Sequence, residues 1–149
     1  LLLLLGVVAA PLQCFNITIQ NDCKIKVYPY FRTFPEGNVY TGSMLSGQRT
    51  TFVYPGNNVT IRNGATGKTR TSLLLEPEVP RSRTKIDRIL GFDIGMAIAW
   101  AYPAKGNGIV PITCKDKSCF APANFKFSYI PSYSGGFRMI FCPAFEIFA

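Results

Sequence analysis

An all-β fold, a sandwich or barrel of short strands, is what this sequence predicts, and three observations carry the prediction. Polar and apolar residues alternate with the strand period of two at residues 15–20 (FNITIQ), 124–129 (NFKFSY) and 137–141 (FRMIF). Turn-forming clusters punctuate the chain at Pro35-Glu36-Gly37-Asn38, Ser46-Gly47, Pro55-Gly56-Asn57, Asn63-Gly64, Gly106-Asn107-Gly108 and Ser134-Gly135-Gly136. Finally, 13 Gly and 11 Pro leave few windows in which a long helix could persist.

Taken in chain order, residues 1–10 (LLLLLGVVAA) are uncharged and apolar before Pro11. Such a run is too short for a bilayer, which takes roughly 20 residues, and matches the apolar core of a secretory signal ending in small residues. Residues 1–14 are therefore expected to be a signal remnant, cleaved after Ala10 or Cys14, and 15–149 a single domain. In the first alternating run, Asn16, Thr18 and Gln20 should face solvent, with Phe15, Ile17 and Ile19 facing inward. Residues 49–54 and 59–62 are β-branched or aromatic and read as further strands. Residues 72–76 (SLLLE) and 85–90 (KIDRIL) read as the chain's two short helical turns. The length of 149 residues suits one domain, and 48% hydrophobic residues with 13% aromatics exclude a disordered chain.

The chain contains no histidine. That excludes Ser-His-Asp and Cys-His catalysis, and the His-bearing zinc and iron sites. Carboxylate chemistry and binding functions remain, and no metal or cofactor is expected. In an exported chain, four cysteines without Cys14 (Cys23, Cys114, Cys119, Cys142) point to two disulfides. Four cysteines allow three pairings, and the residues do not choose among them. Asn16-Ile17-Thr18 and Asn58-Val59-Thr60 are glycosylation sequons at Asn16 and Asn58. The stretch Gly64-Ala65-Thr66-Gly67-Lys68-Thr69 lacks the first glycine of a phosphate-binding loop, Arg62 standing in its place, so it reads as a hairpin turn.

The formal charge is +8. Residues 62–88 carry seven cations (Arg62, Lys68, Arg70, Arg81, Arg83, Lys85, Arg88) against Glu76, Glu78 and Asp87. Such a segment is either a solvated basic face or an attractor for anionic surfaces. Nucleic acid is not expected as the partner of an exported chain. Without an amphipathic helix or a barrel series of strands, stable membrane insertion is not expected either. Glycoside hydrolysis would need two facing carboxylates, for which Glu76, Asp87 and Asp93 are the candidates.

Five collinear stretches carry a family resemblance. Phe15-Asn16-Ile17-Thr18-Ile19-Gln20-Asn21-Asp22-Cys23 resembles the opening strand and Asn-x-Cys of the thaumatin-like (pathogenesis-related group 5) proteins. Leu45-Ser46-Gly47-Gln48 with Thr51-Phe52-Val53-Tyr54-Pro55-Gly56 is similar to the family's "L-x-x-G … PG" region, and Ile61-Arg62 to its arginine-bearing strand. Gly91-Phe92-Asp93-Ile94-Gly95-Met96 resembles "GFN-x-PM", and Cys114 and Cys119 reproduce a cysteine pair with four residues between. Phe137-Arg138-Met139-Ile140-Phe141-Cys142-Pro143 resembles the terminal "Y-R-V-x-F-C-P".

The resemblance implies a flattened antiparallel β-sandwich, secreted, in a small form lacking the family's disulfide-rich lobe. It pairs Cys23 with Cys142. Cys114 and Cys119, which in the family bond to the missing lobe, are then expected to pair with one another. The resemblance also implies a cleft, with Arg62 as its arginine and Glu76, or alternatively Glu78, as its glutamate. Where the family places two cleft aspartates this chain has Lys85 and Leu90, and a small slip would bring Asp87 into one of them. The expected cleft residues are therefore Arg62, Glu76, Lys85 and Asp87.

A cleft so depleted in acids points to binding rather than turnover. The expectation is a monomeric, secreted, defence- or cell-wall-related protein that binds β-glucan or an anionic fungal surface. Tyr28, Tyr30, Phe31, Trp100, Tyr102 and Tyr129 supply aromatics that either stack on sugar or fill the core. The alternatives are a weak endo-β-1,3-glucanase and a secreted effector or hydrolase inhibitor whose partner is another protein.

Overall fold

The computed structural model describes residues 14–33, 37–40, 42–55, 58–64, 71–77, 81–87, 91–100, 112–114, 116, 119, 128–131 and 136–143. The expectations for residues 1–13, Lys68, Arg70, Glu78, Arg88, Leu90, Tyr102 and 124–127 lie outside the described residues. Within them the chain forms β1 (Cys14–Asn21), β2 (Pro29–Thr33), β3 (Gly37–Tyr40), β4 (Arg49–Pro55), β5 (Val59–Asn63) and β6 (Ser72–Glu76). There follow β7 (Arg81–Asp87), β8 (Met96–Trp100), β9 (Ile112–Cys114), β10 (Ser128–Pro131) and β11 (Phe137–Phe141). One sheet has the order β4-β1-β11-β8-β9 and the other β10-β7-β6-β5-β2-β3. The all-β prediction holds.

Alternation explains how the two sheets meet. On β1, Ile17 and Ile19 are buried and Asn16 is exposed, and on β11 Phe137, Met139 and Phe141 point inward. They pack with Met96 and Ile98 of β8 against Phe31, Val59, Ile61, Leu73 and Leu75 from the other sheet, forming one core. Each such buried side chain contributes on the order of 1.5–3 kcal/mol.

The helical turn expected at 72–76 is a strand, and so are residues 85–87 of the one expected at 85–90. Residues 72–76 are β6, with Leu73 and Leu75 fully buried and Leu74 half-buried on the opposite face. A run of three leucines has no period of its own. Pairing with β5 and β7 on either side supplies one, and the leucines' helix propensity yields to that tertiary context. Residues 85–87 complete β7, while 88–90 lie outside the described residues. The first strand begins at Cys14, one residue before the expected domain start, because its pairing with β4 continues to Pro55.

The first and last strands lie side by side and run parallel, Ile17 opposite Phe137 through Asn21 opposite Phe141. The disulfide Cys23–Cys142 closes the ends of this pair, and the second disulfide is Cys114–Cys119, as the resemblance implied. Gly136 opens β11 at φ +80°, and a Cβ there would run into the carbonyl oxygen of Asn16 on β1. Gly136→Ala is expected to destabilise the fold by about 2–3 kcal/mol, combining left-handed strain with overpacking. Urea denaturation would check this. An unchanged midpoint would show that β1 and β11 are not so closely apposed.

Candidate functional site on the open face of the six-stranded sheet

The six-stranded sheet turns one face into the core; the other, its open face, carries no further sheet among the described residues. On β2, Phe31 is buried, whereas Tyr30 is half-buried and Arg32 exposed. On β5, Val59 and Ile61 are buried, whereas Thr60 and Arg62 alternate outward. The same alternation on β6 and β7 leaves Ser72, Leu74, Glu76, Arg83, Lys85 and Asp87 half-buried on the open side. Four cations (Arg32, Arg62, Arg83, Lys85) thus share a face with two carboxylates (Glu76, Asp87).

Strand register arranges these residues in rows. One row runs Tyr30–Arg62–Ser72–Asp87 and the next Arg32–Thr60–Leu74–Lys85, crossing β2, β5, β6 and β7 in turn. A third row sets Glu76 opposite Arg83. The guanidinium carbon of Arg62 stands 5.4 Å from the centre of the Tyr30 ring, a cation–π contact across neighbouring strands. Glu76 is tied elsewhere: its Oε2 lies 2.5 Å from Nη2 of Arg83.

The structure thus places Arg62 and Asp87 in one row, Lys85 in the next, and Glu76 in the row beyond that, two rows from Asp87. Ser72, not Glu76, stands opposite Arg62 and Asp87. Ser72 and Glu76 are the two ends of β6, so Glu76 and Asp87 lie on the order of 13 Å apart along the strand direction. Retaining and inverting glycosidases hold their carboxyl groups about 5–5.5 Å and 6.5–9.5 Å apart. The third candidate acid, Asp93, fastens a loop: its Oδ1 accepts the Thr71 backbone N–H at 2.6 Å, and its own N–H donates to Thr71 Oγ1 at 3.1 Å. The arrangement offers charge, hydroxyls and an aromatic ring, and Glu76 and Asp87 do not face one another. No group of three metal-ligating side chains occurs among them either.

Both sequon asparagines are exposed. Asn16 sits on the outer face of β1 opposite Val53, while Asn58 immediately precedes Val59, whose partner is Leu75, and so lies toward the Glu76 end of the open face. Sequence reasoning missed Arg32. The alternation in PYFRT was the available signal, since Phe31 sits between an outward tyrosine and an outward arginine. Trp100 and Tyr129 lie on β8 and β10.

No family model matches the chain, and no curated protein matches it by sequence. Its backbone is similar to several solved structures. A thaumatin-like xylanase inhibitor superposes with a TM-score of 0.63 at 14% identity, over 85% of this chain and 99% of that one. The protein elicitor MoHrip2 from Magnaporthe oryzae superposes with a TM-score of 0.59 at 12% identity, over 87% and 99%. With the sheet orders, the shared core and the Cys23–Cys142 closure, these likenesses show that the chain has the thaumatin-like fold.

Proposed function

We propose that this is an exported, defence- or cell-wall-related binding protein that engages a polysaccharide, either β-glucan or an anionic wall surface, without efficient catalysis. One observation carries the reading: on the open face, Glu76 is paired with Arg83 and far from Asp87, while cations outnumber acids. Two disulfides suit an oxidising compartment, and the exposure of Asn16 and Asn58 suits glycosylation on an export route.

The test is a pull-down on insoluble β-glucan and on whole fungal wall, at low and high salt, with reducing-sugar release followed in parallel. Retention without sugar release is the expected result. Binding that survives high salt reports sugar recognition, and binding that salt abolishes reports charge attraction. Sugar release abolished by Glu76→Gln would replace this reading with the glucanase one.

A second reading, inhibition of a polysaccharide-degrading enzyme, is favoured by the likeness to a xylanase inhibitor. It expects the protein to suppress the activity of such an enzyme while binding none of its substrate.

A further inference from the structure

We propose that an N-linked glycan on Asn58 caps the open face of the six-stranded sheet, so that glycosylation of this one residue weakens the binding of polysaccharide there. The inference rests on the polysaccharide-binding reading above and adds the regulation of that same face.

Register places the sequon. Asn58 is exposed and immediately precedes β5. Val59 is fully buried opposite Leu75, and Thr60 is half-buried on the open side opposite Leu74. Alternation across the pleat returns Asn58 to the side of Thr60, and one further step of the same pairing sets it opposite Glu76. The row of Glu76 and Arg83 thus extends onto Asn58. Along β5, Thr60 is one row away, about 7 Å, and Arg62 two rows away, about 13 Å. A branched oligosaccharide on Asn58 outreaches both distances. The other sequon is placed differently. Asn16 is exposed on the outer face of the five-stranded sheet, opposite Val53, so sugar attached there leaves the open face clear.

The chemistry of attachment explains why the effect is a loss of binding. On an export route the donor is an oligosaccharide linked to a lipid diphosphate. Nδ2 of Asn58 bonds to the anomeric carbon, and the bond from that carbon to the diphosphate oxygen breaks. The lipid diphosphate leaves with the bonding electrons, and Nδ2 gives up one proton. Nδ2 remains an uncharged amide nitrogen, so the consequence is one of volume and competition. The added group is bulky. It is also a sugar chain held beside a face read as a sugar site, at an effective concentration on the order of mM. Free polysaccharide has to displace it.

Secretion of the chain from yeast tests this, with wild type, Asn16→Gln and Asn58→Gln compared by intact mass. Each is then applied to insoluble β-1,3-glucan and to whole fungal wall. The same three chains exported to the periplasm of a bacterium that lacks N-glycosylation supply the sugar-free reference. The yeast protein is expected to carry a glycan on Asn58 and to bind at least five-fold more weakly than Asn58→Gln. Asn16→Gln, with Asn58 still modified, should bind within two-fold of wild type. Without sugar, all three chains should agree within two-fold, which separates the effect of the glycan from that of the amide.

An unmodified Asn58 in the secreted protein would overturn the proposal. So would equal binding by the modified wild type and Asn58→Gln, or a gain from Asn16→Gln as large as that from Asn58→Gln. A sugar-free Asn58→Gln that binds five-fold more tightly than sugar-free wild type would overturn it too, because the amide would then be responsible. In each of these cases retention of the sugar-free chains leaves the polysaccharide-binding reading standing. If neither solid retains the sugar-free chains, that reading fails and the inference with it.

Discussion

Replacing Cys23 and Cys142 with serine is expected to lower stability by about 4–5 kcal/mol, the largest single effect in this protein. The bridge spans 119 residues and ties the residues just past β1 to those just past β11. Opening it returns nearly the whole chain to an unconstrained unfolded ensemble. For a domain of this size that is a large share of a stability on the order of 5–15 kcal/mol. Cys114–Cys119 spans only 5 residues, so Cys114→Ser with Cys119→Ser is expected to matter much less. Urea titrations of the two double variants, followed through the single tryptophan, would measure both. Equal losses would show that loop closure is not what the long bridge contributes.

The second large effect is expected at Asn21, whose side chain is fully buried at the end of β1. Its Nδ2 donates to the carbonyl oxygens of Ile25 and Met44, both at 3.0 Å, and its Oδ1 accepts the Cys23 backbone N–H at 2.9 Å. These three bonds hold two loops against the strand, where Val27 and Met44 also form an isolated bridge. Asn21→Ala leaves the Ile25 carbonyl and the Cys23 amide without this partner and takes one of two donors from the Met44 carbonyl, which keeps the Val27 N–H, for a loss of about 2 kcal/mol. Asn21→Asp keeps the shape, removes both donors and sets a carboxylate against two carbonyl oxygens. It is expected to destabilise at least as much as alanine. An aspartate variant as stable as wild type would mean that the side chain fills space and does not bridge the loops.

The degree to which residues were legible follows from how local their determinants are. FNITIQ announces both its strand and its buried face, because alternation is written into six consecutive residues, whereas FRMIF alternates only from Phe137 to Met139 and buries Ile140 as well. The Asn21-Asp22-Cys23 motif could be recognised as a unit, although the sequence does not show that Asn21 is the hinge of two loops. SLLLE could not be read correctly. Its leucines satisfy a helix and a buried strand equally well, and only the pairing of Leu73 with Ile61 and Ile86 decides between them. Arg32 was overlooked because nothing nearby in the chain marks it. It becomes part of a site when β2 pairs with β5, about thirty residues later in sequence.

Composition and local pattern alone established an all-β chain without imidazole chemistry, its inward-facing residues and its cysteine inventory, since each depends on residue type and short-range period. Strand order and register, by contrast, are long-range quantities, set when the two sheets close over a common core. They put Ser72 rather than Glu76 opposite Arg62, joined Glu76 to Arg83 and gathered Arg32, Arg62 and Lys85 on one open face. A carboxylate's partner in space is not its neighbour in sequence. For that reason the acids expected to line a cleft could be named from the chain, while their separation across the sheet had to wait for the fold.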